Sequence, residues 1–224
     1  MIVLSGSSRG LGKAIKNELE KQGFEVIGLA RIENTKENIL ACDISDYAAI
    51  KKTASRIKKL EKPVTALINA AGIASMNLAF TTHQKTTQKI IETNLLGCIY
   101  INQLFVPLMM RHKYGTIINF STIAVKLGLK GESIYVASKA GVEGFSRVFA
   151  REVADFGITV NCIAPGPIKT DLLKGIRDDQ IKKVTDQQIF TRTMSEQDVF
   201  DIVNILLGEN ARKITGQVIH VGGA

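Results

Sequence analysis

Tryptophan is absent from this 224-residue chain, and cysteine, histidine and proline are scarce, at three, three and four residues. Cys42, Cys98 and Cys162 stand far apart, which excludes a compact metal-ligand cluster and an even disulfide framework. No metal is expected, and reduced thiols in apolar settings fit a cytoplasmic protein. Apolar runs are broken by polar residues well before the ~18 positions that a membrane span requires. Ile2-Val3-Leu4 is too short for the apolar core of a signal peptide and leads straight into a glycine loop. Aromatic residues make up 6% of the chain and form no stacking platform, and no basic stripe is present. The net charge of +8 therefore does not read as a nucleic-acid-binding module. It suits an acidic partner such as a phosphorylated cofactor or an acidic carrier protein. Repeats, low-complexity tracts and linkers are missing too, so residues 1–224 are expected to form a single domain.

What is present is an alternation of short β-rich runs with longer helical stretches. Strands are expected at Ile2–Ser5, Glu25–Ala30, Ile39–Ala41, Thr65–Asn69, Thr116–Phe120, Thr159–Ile163 and Val218–Val221. Apolar periodicity predicts helices over Leu11–Leu19, Ile50–Leu60 with Ser45 or Asp46 as N-cap, His83–Arg111, Ser133–Asp155 and Ser195–Leu207. Ser195 followed by Asp198 resembles a capping box with Asp in place of Glu. Such alternation predicts an α/β fold, a doubly wound Rossmann-type domain whose seven-stranded parallel sheet carries helices on both faces. Only seven residues, Ile32 to Asn38, separate Arg31 from the third strand. A full crossover needs roughly 10–12 residues, so the second helix is shortened or absent.

Ser5-Gly6-Ser7-Ser8-Arg9-Gly10-Leu11-Gly12 lies between the first strand and the first helix. Glycines at this place let the backbone turn sharply and approach a pyrophosphate at the helix N-terminus. At the end of the second strand, Ala30 and Arg31 stand where a cofactor with a free ribose 2′-hydroxyl would meet an acidic residue. Arg9 and Arg31 instead suit a 2′-phosphate, which points to NADP(H). Glu33 is the nearest carboxylate that complicates this reading. Tyr135 and Lys139 are four residues apart and share one helix face. An ammonium beside a phenol favours the phenolate and lowers its pKa, as proton transfer near neutral pH demands. Asn94, inside the apolar stretch Ile90–Leu108, needs buried hydrogen-bond partners.

The spacing Gly6-x-x-x-Gly10-x-Gly12, then Asn69-Ala70-Ala71-Gly72, Asn94, Tyr135-Val136-Ala137-Ser138-Lys139 and Pro165-Gly166 resembles the short-chain dehydrogenase/reductase family over essentially the whole chain. Lys174–Gln180, Arg147–Val160 and Ile214–Gln217 look most like its bacterial 3-oxoacyl-acyl-carrier-protein reductases. The resemblance implies hydride transfer between NADP(H) and a carbonyl, with Tyr135 as general acid and Lys139 on the nicotinamide ribose. It adds Ser8 and Leu11 to the phosphate loop, Asp43 and Ile44 at the adenine, Asn69, Ala70, Ala71 and Gly72 along the cofactor, and Ile168 and Thr170 near the carboxamide. Asn94 would kink its helix and hold a water. The family's third catalytic residue is a Ser 13 positions before the Tyr, and counting back from Tyr135 lands on Thr122, with Ser121 before it as the alternative hydroxyl. Residues of about 172–189 would form a substrate lid. Lys174 and Arg111-His112-Lys113 are candidate contacts for acyl carrier protein, and a homodimer or homotetramer is implied. Other readings are a reductase of a sugar, steroid-like or other small carbonyl compound, or a non-catalytic NADP(H)-binding protein.

Overall fold

The computed structural model describes residues 1–168 and 178–224. Seven parallel strands form one sheet: β1 Ile2–Ser5, β2 Val26–Ala30, β3 Ile39–Ala41, β4 Ala66–Asn69, β5 Gly115–Phe120, β6 Ile158–Pro165 and β7 Val218–Val221. They are ordered β3-β2-β1-β4-β5-β6-β7. The strands are apolar on both faces, as a sheet covered from both sides must be. Val3, Leu67, Ile117 and Val160 pack against Ile50 and Ile57 of α2 (Tyr47–Lys58), Ile101 and Phe105 of α4 (Gly97–Met110) and Phe149 of α6 (Ser133–Val153). On the other face, Leu4, Ile68, Ile118 and Ile163 pack against Ile15 and Leu19 of α1 (Gly10–Lys21) and Val199 and Val203 of α8 (Glu196–Leu207). A doubly wound sheet results, as the alternation predicts.

The helix caps follow the sequence. Asp46 accepts from the backbone amides of Ala48 and Ala49 at the start of α2. Ser195 and Asp198 complete a reciprocal capping box on α8. The shortened connection between β2 and β3 is a single 3-10 turn, Thr35–Glu37. It closes through paired backbone bonds between Asn34 and Ile39. Asn38 ends it at φ 50°, a left-handed conformation that Asn tolerates, and its side chain donates to the Val26 carbonyl at 2.6 Å.

The long apolar helix expected over His83–Arg111 is interrupted. It runs as α3 (Gln84–Ile91), a π turn over Glu92–Leu96, then α4. By length and composition Gln84–Met110 is long and apolar enough to cross a membrane, but its residues Ile101, Phe105, Val106 and Met109 are buried against the sheet.

Candidate active site

Helices leave the C-terminal ends of β1 and β4 in opposite directions, and the crevice this creates is where open α/β sheets bind ligands. Here it is a cleft of about 630 Å³. Gly6, Ser8, Arg9, Gly10, Leu11, Gly12, Arg31, Asp43, Ile44, Ala70, Ala71 and Gly72 line it along β1, β2 and β4. Thr122, Tyr135, Lys139, Pro165, Gly166 and Ile168 close it on the β5 and β6 side. Thr170, Lys174 and the first six residues of the expected lid lie outside the described residues. From the remainder of that lid, Ile181 and Val184 of α7 (Asp178–Thr185) face the cleft.

The phosphate loop is built so that only glycine fits at two places. Gly6 has φ +78°, and a Cβ there would stand 2.7 Å from backbone atoms of Ala71. A Cβ on Gly12 would run into the carbonyl of Gly6. The N-cap Arg9 is extended and its side chain caps nothing, so the first-turn amides of α1 remain available to an anion. That donor set fits a dinucleotide pyrophosphate.

At the adenosine end, Arg9 and Arg31 are exposed and both face the cleft. Lys89 of α3 joins them; no motif marks it in the sequence. Glu33 is drawn away, paired with Arg56 at 2.9 Å, and does not line the cleft. Asp43 accepts from the amide and hydroxyl of Ser45 at 3.0 and 2.7 Å. Burial pushes its carboxyl up, but the two Ser45 bonds, with Arg31 and Lys89 nearby, outweigh this and hold it below the usual carboxylate range.

At the other end, three successive residues at and just after the C-terminus of β5 meet α6, two of them through hydrogen bonds. The Phe120 carbonyl accepts from Lys139 Nζ at 2.7 Å. Ser121 donates to Glu143 at 2.5 Å. Thr122 lies beside the Tyr135 hydroxyl in the cleft and favours its ionised form. The two hydroxyls weighed from the sequence are thus separated: Ser121 is held by Glu143, and Thr122 faces the phenol. Tyr135 and Lys139 are buried, at 9% and 5% exposure.

Burial pushes the Tyr135 phenol up and the Glu132 carboxylate pushes it further, while Thr122 opposes them. Burial likewise pulls the Lys139 ammonium down, against the Cys98 and Cys162 thiols.

Asn94 sits in the π turn, outside the cleft wall. Its Oδ1 accepts from the Ile73 amide and its Nδ2 donates to the Ile73 carbonyl, both at 2.9 Å, and to Ser138 Oγ at 3.0 Å. A methyl on Gly72 would stand 3.4 Å from both Asn94 Oδ1 and Lys139 Nζ, so the two polar groups converge on one spot. Asn69 does not itself line the cleft. It is buried behind the residues that line the cleft, its Nδ2 donates to Asn119 Oδ1 at 2.7 Å and ties β4 to β5, and its Oδ1 has no partner among the described residues. Arg111, His112 and Lys113 precede β5, and the six residues of that strand, about 20 Å at the usual rise, separate them from the cleft of their own chain. Glu132 also faces the cleft, and its place three residues before Tyr135 is the signal that would have found it.

A family model described as enoyl-(acyl carrier protein) reductase matches residues 6–223. The 3-oxoacyl-(acyl-carrier-protein) reductase FabG of Escherichia coli (strain K12) is 35% identical, over 99% of this chain and 95% of its own. FabG of Staphylococcus aureus (strain Mu50) is 34% identical, over 99% and 96%. The chain belongs to the short-chain dehydrogenase/reductase family. It is an oxidoreductase acting on CH–OH or C=O groups with a nicotinamide cofactor. Among solved structures, the short-chain dehydrogenase/reductase fold of this chain matches that of Thermoplasma acidophilum aldohexose dehydrogenase at a TM-score of 0.89. The two are 27% identical, over 99% of this chain and 92% of that one.

Proposed function

We propose that the chain is an NADPH-dependent reductase of 3-oxoacyl thioesters carried on acyl carrier protein, forming the 3-hydroxyacyl product. The observation that carries this reading is the 34–36% identity to FabG proteins over 99% of the chain. The substrate end of the cleft supports it, because Met76, Leu129, Ile181 and Val184 offer an apolar wall suited to an acyl chain. Arg9 and Arg31, with Lys89 beside them, support the 2′-phosphate of NADPH.

The residues act as follows. The hydroxyls of Thr122 and Tyr135 hydrogen-bond the carbonyl oxygen and polarise it. A nicotinamide bound in the cleft supplies the hydride that the carbonyl carbon accepts. Tyr135 Oη gives its proton to the oxygen, and the phenolate is reprotonated from solvent. The raised phenol suits this direction, because Tyr135 holds its proton until the oxygen becomes basic. Lys139, fixed on the Phe120 carbonyl, stabilises the transient phenolate and offers its remaining protons to the nicotinamide ribose. Asn94 is a positioning residue that fixes Ile73 and Ser138 around the lysine. Gly166 and Ile168 serve the carboxamide, and α7 forms part of the substrate lid. A cytoplasmic setting fits the three cysteines, all buried and unpaired.

The test is NADPH oxidation with an acetoacetyl thioester, on carrier protein and on coenzyme A, beside a panel of sugars and small ketones. Turnover of the thioesters is expected to lead. Turnover of other carbonyls without any thioester would replace this reading with that of a small-carbonyl reductase, to which the fold shared with an aldohexose dehydrogenase lends support.

A further inference from the structure

The mechanism leaves one charged group at the substrate end unused. Glu132 stands at the N-terminal boundary of α6, its side chain partly buried and facing the cleft. It is the N-cap residue by position, yet its carboxyl caps nothing. No hydrogen bond or ion pair engages that carboxyl among the described residues. Burial pushes it above the usual carboxylate range, and no cation among the described residues offsets this. Its charge reaches the reacting centre, since it raises the Tyr135 phenol. Among the described residues, the cleft carries Arg9, Arg31 and Lys89 at the adenosine end and the Glu132 carboxylate beside Met76, Leu129, Ile181 and Val184 at the substrate end, with Lys139 next to Tyr135 between them.

An unpaired, partly desolvated carboxylate is costly to keep, and here it also opposes formation of the phenolate. What it does supply is a field at the atoms next to the carbonyl. We propose that Glu132 is a charge filter, a specificity-determining residue that admits carbonyl substrates uncharged near the reacting carbon and rejects those carrying a carboxylate two or three carbons away. This rests on the reductase reading and sharpens its substrate class. A 3-oxo acid masked as a thioester or ester enters, and the free acid does not. With the ketone oxygen on Tyr135, the free acid would bring a second carboxylate into the same end of the cleft as the first. In a partly solvated cleft that repulsion disfavours binding by roughly 10- to 100-fold.

The experiment compares ethyl acetoacetate with acetoacetate, which share a carbon skeleton and a reacting ketone and differ in charge. At about pH 8, the parent is expected to favour the ester in kcat/KM. In Glu132→Gln the ester-to-acid ratio should fall about 10- to 100-fold, chiefly through KM for the acid, while Glu132→Asp keeps the preference. Any effect of the substitution on Tyr135 acts on both substrates alike and cancels in the ratio. Binding of the same pair to the NADP⁺-loaded protein, followed by ligand-observed NMR, reads the filter without turnover. That separates its failure from failure of the thioester reading. A parent that does not favour the ester, or a ratio unchanged in Glu132→Gln, overturns the proposal.

Discussion

Replacing Arg31 with alanine tests the cofactor assignment at the point where charge alone decides it. Arg31 follows β2 directly, faces the cleft, and shares that end with Arg9 and Lys89. A 2′-phosphate carries between one and two negative charges at neutral pH, and a guanidinium about 4 Å away gains ~1 kcal/mol per unit charge in water and ~4 at an intermediate dielectric. Arg31 is exposed, so the lower part of that range applies, and two remaining cations compensate in part. Arg31→Ala should therefore cost about 2 kcal/mol in NADPH recognition, or about 30-fold in kcat/KM. NADH has no phosphate at that place and should change by less than about threefold. The loss should shrink as salt shortens the Debye length from ~10 Å at 0.1 M toward ~3 Å at 1 M. Steady-state kinetics with each cofactor at low and high salt measure it. An unchanged NADPH-to-NADH preference, or equal losses for both cofactors, would refute the reasoning. Arg56 is the internal comparison: it is paired with Glu33, and Arg56→Ala should leave the preference alone.

The remaining expectations concern the hydroxyls and a helix cap. Thr122→Ala should lower kcat by about 10²-fold and Thr122→Ser by only a few-fold, in stopped-flow reduction assays. Ser121→Ala should retain most activity yet lose roughly 1–3 kcal/mol of stability, because Glu143 would lose its short hydrogen bond; denaturant titration reads this. Equal catalytic losses in the two alanine variants would contradict the division of roles. Ser195→Ala removes one half of the capping box on α8 and should cost about 1 kcal/mol, lowering Tm by ~2–4 °C without affecting turnover.

Most of the fold was legible because its signals are local. Apolar β-branched runs marked all seven strands, and Asp46 and Ser195 announced their helices through side chains that bond within three residues. The π turn at Glu92–Leu96 was not, since the apolar periodicity on either side continues across it. In the site, spacing gave Tyr135, Lys139 and the phosphate loop. It left Ser121 and Thr122 open, because the group that holds Ser121, Glu143, lies 22 residues further on. The burial that acts on Tyr135 and Lys139 was not legible either, because the sequence displays a nearby lysine but not its depth. Lys89 was missed because a single lysine on a helix face carries no pattern.

The bonds of Phe120 to Lys139 and of Ser121 to Glu143, with Thr122 set against Tyr135, come from consecutive residues at and just after one strand end. A slip of one residue in that strand would undo these contacts together, so mutations that loosen β5 forfeit activity along with folding. Anyone retuning this scaffold for a new carbonyl gains by treating 120–122 and 135–143 as a fixed jig. Diversity is better placed on the facing rim, at Met76, Leu129, Ile181 and Val184, where no such tie is at stake.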